Sequence, residues 1–569
     1  MAFLLAQARQ CQRQGHLPQA AHLYEAILQQ QPQHAEALHD LGVLRGQQGD
    51  MPQALVLLRQ AVSQAGHRPD FHYNLGTVLL RQGEHAAAVA AYETALQLDP
   101  HLLQAWQNLG VAQQALGHLE AAALAYQAII RQRPDYAAAY NNLGTIKRSQ
   151  GDLTAAQEAY STAIRLQTDF AEAYTNLGIV YQSQHRIDAA RAAFDTAIRL
   201  RPAYAEAHLN RGAALQADGD LEAALDAYDT VLRLQPQCAR AHWNRALIWL
   251  AQGNLAAGWP AYEWRLQLPD AAPARFPYPR WQGAALQHST ILVQADQGVG
   301  DEILFVSCLP SLLEQARHVV LECDPRLQTL LARSFPGATV YGRTPVATES
   351  GVYQGPPVQV QIPASSLPLY LRPTLADFPA QAAFLRPDAA RQQQYQQRLA
   401  ALGPGLKVGI AWRSIASRRQ DPTYTQLAQW ETVLTIPGVH FVTLQYDDTA
   451  KELEAARQRW GVSLHDWGDL DLLNDFEGVA ALMSALDLVL APESTVAALA
   501  GALGQPVWRL SVAGSSWTSL GTAGCPWFPS MRLLCQSRRG VWEDVLQQVA
   551  ADLHLLAQAP TSIVDHRRA

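Results

Sequence analysis

Residues 171–202 read AEAYTNLGIVYQSQHRIDAARAAFDTAIRLRP, and the same frame recurs every thirty-four residues through the first half of the chain. Within it Tyr174, Leu177, Val180 and Tyr181 fall at helical spacing, followed by Ala189, Ala192, Ala193, Ala197 and Ile198. That pattern predicts two amphipathic helices per frame. A small residue after Leu or Arg marks the period at Gly42, Gly76, Gly110, Gly144, Gly178, Gly212 and Ala246, with Ala8 in phase one frame earlier. Pro32, Pro100, Pro134, Pro202 and Pro236 close their frames, where Gly66 and Thr168 replace proline in two others. Proline stops a helix and sets the turn that follows.

Period, glycine and terminal proline together resemble the tetratricopeptide repeat. About eight units over residues 1–268 predict an α-solenoid, in which stacked helix pairs bury a core that no single pair could bury. The residue before each Leu/Arg–Gly pair is Asn74, Asn108, Asn142, Asn176, Asn210 or Asn244, with Asp40 in the first complete unit. These amides resemble the asparagine ladder in the superhelix of the eukaryotic nucleocytoplasmic O-linked N-acetylglucosamine transferase, which implies a groove for an extended protein segment. An amide that both donates and accepts can pair with any peptide backbone. The alternative is that Asn-Leu-Gly is one common form of the repeat and its amides bind water.

The last unit ends in Trp259, Tyr262 and Trp264, aromatics expected to cap the exposed end of the solenoid core. Pro269, Pro273, Pro277 and Pro279 then predict a stiff linker over 269–288. Beyond it, short β-rich runs alternate with helical segments. Ile291–Ala295, His318–Glu322 and Val358–Ile362 are strand candidates of a first Rossmann-like lobe, 289–400, on the acceptor side. Lys407–Trp412, His440–Gln445, Leu486–Leu490 and Pro506–Leu510 belong to a second, 401–569, on the nucleotide-sugar side. Strands separated by helices imply parallel sheets with a ligand cleft at their carboxyl ends.

Gln294–Glu302, Ala411–Ser414, Leu444–Tyr446, Asp475–Phe476 and Glu493–Gly504 resemble the bacterial repeat-fused relatives of the heptosyltransferases, closest to their flagellin-modifying branch. The resemblance implies an α + α/β protein: a tetratricopeptide solenoid followed by a two-lobed GT-B glycosyltransferase domain. It further implies a metal-independent, inverting protein O-glycosyltransferase acting on Ser or Thr, with nonulosonic (pseudaminic-type) acid and flagellin as the donor sugar and target of that branch. A nucleotide-sugar is the expected co-substrate, CMP-linked forms included, and no cofactor is expected.

Each motif has its own chemistry. Gly298 and Gly300 permit a tight strand-to-helix turn with backbone amides facing the cleft. By the resemblance Asp301 is the general base for the acceptor hydroxyl, with Glu302 the nearby alternative; a plain helix N-cap would also place an Asp here. Arg413 and Ser414, with Arg418 and Arg419 beyond them, follow the first strand of the second lobe and could meet a leaving phosphate, or form a solvated basic loop. Glu493, Ser494 and Thr495 open a helix suited to phosphate and to a sugar or ribose hydroxyl, and Gln445 completes the donor set. The family commonly has Asp-Thr at this helix start and a His before Leu-Ala-Gly, whereas this chain has Glu493-Ser494 and Ala498. A repeat scaffold with a degenerate cleft is therefore the alternative function.

Composition narrows the field further. With 569 residues, 49% of them hydrophobic, the chain exceeds one core. A formal net charge of −7 without a basic stripe argues against nucleic acid. The six cysteines are scattered, without CxxC or zinc-like spacing. The opening residues lack the basic-then-apolar order of a signal peptide, and the most apolar stretch, Val479–Val512, is interrupted by Asp487, Glu493 and Arg509. A cytoplasmic protein without a membrane span, binding a protein acceptor through its repeats, is the expectation.

Overall fold

The computed structural model describes residues 1–271, 276–343, 357–380, 383–414, 423–512 and 516–558. The chain divides into two compact units, Met1–Ala217 and Asp218–Ala569.

In the first unit the helices keep the sequence period. Ala35–Gln47, Pro69–Arg81, Leu103–Ala115, Ala137–Ser149 and Ala171–Ser183 each begin one unit. Met51–Gln64, His85–Leu98, Leu119–Gln132, Leu153–Leu166 and Ile187–Leu200 are their partners. Four of the marker glycines are explained by the aromatic sixteen positions on. A Cβ on Gly76, Gly110, Gly144 or Gly178 would lie 2.5–2.8 Å from the ring of Tyr92, Tyr126, Tyr160 or Phe194. Those rings are fully buried, so each seats on bare backbone where any side chain would force the helices apart. The carbonyls that close a unit also find partners: Trp106 Nε1 donates to Pro100 O (2.9 Å), and ring nitrogens of His72 and His208 meet Gly66 O (3.0 Å) and Pro202 O (2.9 Å). Turns between paired helices use left-handed Gly15, Gly49, Gly83, Gly117 and Gly151, while in the sixth the same conformation falls on His185 at φ 58°.

The second unit opens with the repeat helices Leu221–Leu234, Ala239–Ala251 and Leu255–Tyr262. Two wholly parallel sheets follow. The first contains β1 (Thr290–Gln294), β2 (His318–Cys323), β3 (Ala338–Gly342) and β4 (Val360–Pro363) in the order β3-β2-β1-β4. The second contains β5 (Leu406–Ile410), β6 (Val439–Thr443), β7 (Leu464–His465), β8 (Leu488–Pro492), β9 (Val507–Ser511) and β10 (Met531–Cys535), ordered β10-β9-β8-β5-β6-β7. β1, β5, β8 and β9 are buried along their whole length, as expected for parallel strands covered on both faces. Strand order reverses at β1/β4 and at β5/β8, the positions where open α/β sheets bind ligands. β3, β7 and β10 were not among the strand candidates. β3 and β10 are edge strands, the first half-buried throughout and the second mixed in burial, and β7 has only two residues, so none makes a long apolar run.

The expected aromatic cap is corrected by the structure. Trp259 and Tyr262 are buried inside the second unit and do not cover a free solenoid end. Trp259 Nε1 donates to Arg372 O (2.9 Å) and its ring meets Trp527 edge-on at 6.1 Å. Arg265, also buried, donates from Nε to Ser365 Oγ (2.9 Å) and pairs with Asp296 beyond the end of β1 (3.4 Å). Pro279 and Trp281 bond the backbone of Gln361, extending the first sheet beside β4. Among the described residues no helix is long and apolar enough to cross a membrane.

Candidate functional site

A pocket of about 270 Å³ forms where the carboxyl ends of strands from both sheets converge. The turn after β1 contributes Gly298, Gly300 and Asp301; Ser414 comes from beyond β5, and Glu493, Ser494 and Thr495 from the end of β8. Sequence positions almost 200 apart thus share one cavity, because both switch points open onto it.

Asp301 is the third residue of helix Val299–Phe305, whose N-cap is Gly298, so it does not occupy the N-cap position. Burial, with Glu493 and Asp296 nearby, pushes its carboxyl up to about 6. A carboxylate destabilised by desolvation and like charge gains basicity while remaining mostly ionised near neutral pH. Glu302 behaves differently. It does not line the pocket; its Oε2 accepts from Asp324 N (2.8 Å) and its Oε1 from Arg343 Nη2 (3.3 Å). Burial raises its carboxyl to about 7 against the pull of those two donors.

Helix Thr495–Ala502 has no side-chain cap, since the Ser494 hydroxyl donates back to Pro492 O at 3.0 Å. Its first backbone N–H groups are left for a ligand. Ala498 lines the pocket beside them. Glu493 Oε1 accepts from Ser516 Oγ (3.0 Å) and Thr518 Oγ1 (3.2 Å).

Arg413 and Gln445 lie elsewhere. Arg413 is buried, with Nε on Asp447 (2.8 Å) and Nη1 on Glu452 (2.7 Å). Gln445 Oε1 accepts from the backbone N–H of Trp412 (2.9 Å) and Arg413 (3.1 Å), while Nε2 donates to Arg413 O (3.0 Å). The two residues lock the loops after β5 and β6 and do not line the pocket. Arg418 and Arg419 lie outside the described residues. Among the described residues, the cation that does line it is Arg509, on β9. Its signal was an arginine inside an apolar strand, a residue type almost never fully buried unless paired.

The asparagine series is half-buried and partly engaged internally. Asn74 Nδ2 meets His39 Nε2 (2.8 Å), Asn176 Nδ2 donates to Asn141 Oδ1 (3.0 Å), and Asn244 Nδ2 donates to Tyr228 Oη (3.2 Å). Asn108 bonds Tyr92. Asn142 and Asn210 have no side-chain partner among the described residues.

Residues 5–62, 39–102, 79–144, 175–229 and 214–263 match the tetratricopeptide repeat, and 144–185 match the TPR repeat. The first half of the chain is a tetratricopeptide solenoid, joined to an α/β region of two parallel sheets. Over 297 residues the chain is 36% identical to Protein FlbA of Caulobacter vibrioides, the match covering 50% of each. It therefore spans about half the length of this curated relative. Among solved structures, MamA overlaps 31% of this chain and 96% of its own length at 26% identity, with a TM-score of 0.27. A tetratricopeptide repeat protein from Parabacteroides merdae overlaps 43% and 96% at 16% identity, with a TM-score of 0.37.

Proposed function

We propose that the protein is a glycosyltransferase that moves a sugar from a nucleotide-activated donor to a Ser or Thr hydroxyl of a protein held by its repeats. The observation that carries this reading is Asp301, a carboxylate made more basic by its surroundings, in one pocket with the uncapped start of helix Thr495–Ala502. In the reaction Asp301 accepts the proton of the acceptor hydroxyl as its oxygen bonds the anomeric carbon. The bond from that carbon to the donor phosphate breaks on the opposite face, and the phosphate leaves with the electron pair toward the helix N-terminus. Glu493, held by Ser516 and Thr518, is placed to accept from a sugar or ribose hydroxyl, and Ser414 to donate to the donor. Nonulosonic acid and flagellin are the donor sugar and target that the family resemblance favours.

The repeats supply the acceptor. Asn142 and Asn210, whose amides have no side-chain partner among the described residues, are the best placed of the series to pair with an extended backbone, with Asn176 between them. Replacing all three by Ala weakens acceptor binding by about 0.5–1.5 kcal/mol for each hydrogen bond lost, with donor binding unchanged.

Asp301→Asn keeps the shape but removes the base. Transfer, followed by intact-protein mass spectrometry, is expected to fall roughly 100- to 10,000-fold with donor affinity retained. Ala498, where the family has His, favours the second reading, a repeat scaffold with a degenerate cleft. That reading gains if the wild-type protein transfers no sugar from any donor tested, and near-normal turnover by Asp301→Asn removes the base assignment.

A further inference from the structure

We propose that Arg509, together with the uncapped start of helix Thr495–Ala502, forms the phosphate-binding centre of this pocket and takes the phosphate of an organic phosphate ester. The inference deepens the transferase reading and rests on it for the identity of the ligand, but its geometry is independent of Asp301.

Arg509 is 4% exposed, yet it lines the pocket. Its Nε donates to Ser511 Oγ (3.2 Å) and its Nη1 to Thr518 Oγ1 (2.9 Å), with Glu493 Oε1 at 3.6 Å from Nη1. Among the described residues Nη2 has no partner. The guanidinium is thus held by Ser511 and Thr518 with one donor left over, which an anion entering the pocket can use. The groups lining the same pocket include the end of Glu493–Thr495 and Ala497, where the free N–H groups of the helix emerge. Helix amides and a guanidinium are the two donors that suit a tetrahedral oxyanion, the first through aligned N–H groups and the second through its planar fork. Arg413, the cation expected there from the sequence, pairs with Asp447 and Glu452 and does not line the pocket.

Thr518 is a positioning residue for this centre. Its Oγ1 accepts from Arg509 Nη1, so its own proton is left to donate to Glu493 Oε1 (3.2 Å). One hydroxyl thereby fixes the fork of Arg509 and the carboxylate of Glu493 together, leaving Nη2 for the ligand. Removing the hydroxyl frees the guanidinium to swing onto Glu493, which competes with an incoming anion.

The test measures, on the full-length protein by calorimetry, the affinity of each of the four nucleoside monophosphates (CMP, UMP, AMP and GMP) and of its own nucleoside. The phosphate is expected to improve the best-bound pair roughly 10- to 100-fold in the wild type. Arg509→Gln is expected to bring the two affinities together while leaving the nucleoside unchanged; Arg509→Lys keeps part of the difference and Thr518→Val loses part of it. Thermal melts of each variant establish that it folds, and Arg509→Lys carries the comparison if Arg509→Gln does not. A phosphate increment unaltered in a folded Arg509 variant overturns the proposal, as does a wild type that binds no monophosphate better than its nucleoside. If the increment depends on Arg509 while Asp301→Asn still transfers sugar normally, the phosphate centre stands and the assignment of the base falls.

Discussion

Gly300 lies directly against Thr495: a Cβ on the glycine would be 3.3 Å from Thr495 Oγ1 and 3.5 Å from its backbone N. The start of the helix after β1 and the start of the helix after β8 therefore approach through bare backbone. Gly300 sits inside a helix, where alanine is favoured by about 1 kcal/mol, so Gly300→Ala trades propensity for a tight contact that a hydroxyl can relieve. Stability near that of the wild type is expected. Gly300→Val adds methyl groups that meet the Thr495 backbone and is expected to lose about 1–3 kcal/mol, together with donor affinity. A valine variant that melts and binds as the wild type does would show that these helix starts are not held at this spacing.

Asp301 sets a second expectation, of opposite sign for stability and activity. Its folded value of about 6 lies above the ordinary carboxyl value of 3.8, so the folded state holds a proton that the unfolded chain releases. The stability this represents is present below pH 3.8 and is lost as pH rises through 6. At pH 8 the wild type bears the full cost of a buried anion beside Glu493. Asp301→Asn is thus expected to stabilise the protein by about 1–3 kcal/mol at pH 8, and by clearly less at pH 5. Denaturant unfolding at the two pH values checks it, and an equal effect at both would mean that the carboxyl is not raised.

The periodic part of this architecture was legible because one residue type answers each structural demand. Gly76 has to be small for Tyr92 to seat, and Pro100 ends a helix while offering its carbonyl to Trp106, so both demands leave a mark every thirty-four residues. The pocket was legible only where the chain itself makes the turn, as at Gly298–Asp301 and Glu493–Thr495. Arg413 reads as a candidate from its position after a strand, but its role is decided by Asp447 and Glu452, more than thirty residues on. The task of Arg509 depends likewise on Thr518 and Glu493, which no local pattern joins to it. Trp259 looked like a solvent-facing cap because its partners, Arg372 and Trp527, are more than a hundred residues away.

His185 is the exception in the series of turns. Five equivalent positions from Gly15 to Gly151 carry glycine at positive φ, and His185 adopts φ 58° in the same place. An L-residue with a Cβ is strained there by about 1–2 kcal/mol, part of which glycine returns through its freer unfolded chain. His185→Gly is expected to stabilise the first unit by about 0.5–1 kcal/mol. Hydrogen exchange of helices Ala171–Ser183 and Ile187–Leu200 would register the gain locally, and slower exchange there in the histidine form than in the glycine form would contradict it.

Trp517 gives the last expectation, because it connects the end of the repeats to the candidate site. Its ring stacks near Tyr262 (centroids 5.7 Å apart) and Phe305 (6.2 Å), and it meets Trp527 edge-on at 6.2 Å. Tyr262 ends the last repeat helix, Phe305 ends the helix that carries Asp301, and the residues flanking Trp517 are Ser516 and Thr518, which hold Glu493. Aromatic contacts of this kind are worth about 0.5–1.5 kcal/mol each beyond the area they bury. Trp517→Ala removes three at once and releases the loop that orients Glu493 and Arg509. The expected result is a loss of stability together with weaker binding of a nucleoside monophosphate, even though the indole is not among the residues lining the pocket. Trp517→Phe keeps a ring between Tyr262 and Phe305 and should recover most of both. Measuring melting and monophosphate affinity side by side distinguishes the cases. If Trp517→Ala lowers the melting temperature but leaves affinity untouched, the aromatic cluster only holds the unit together and Thr518 orients Arg509 without its help.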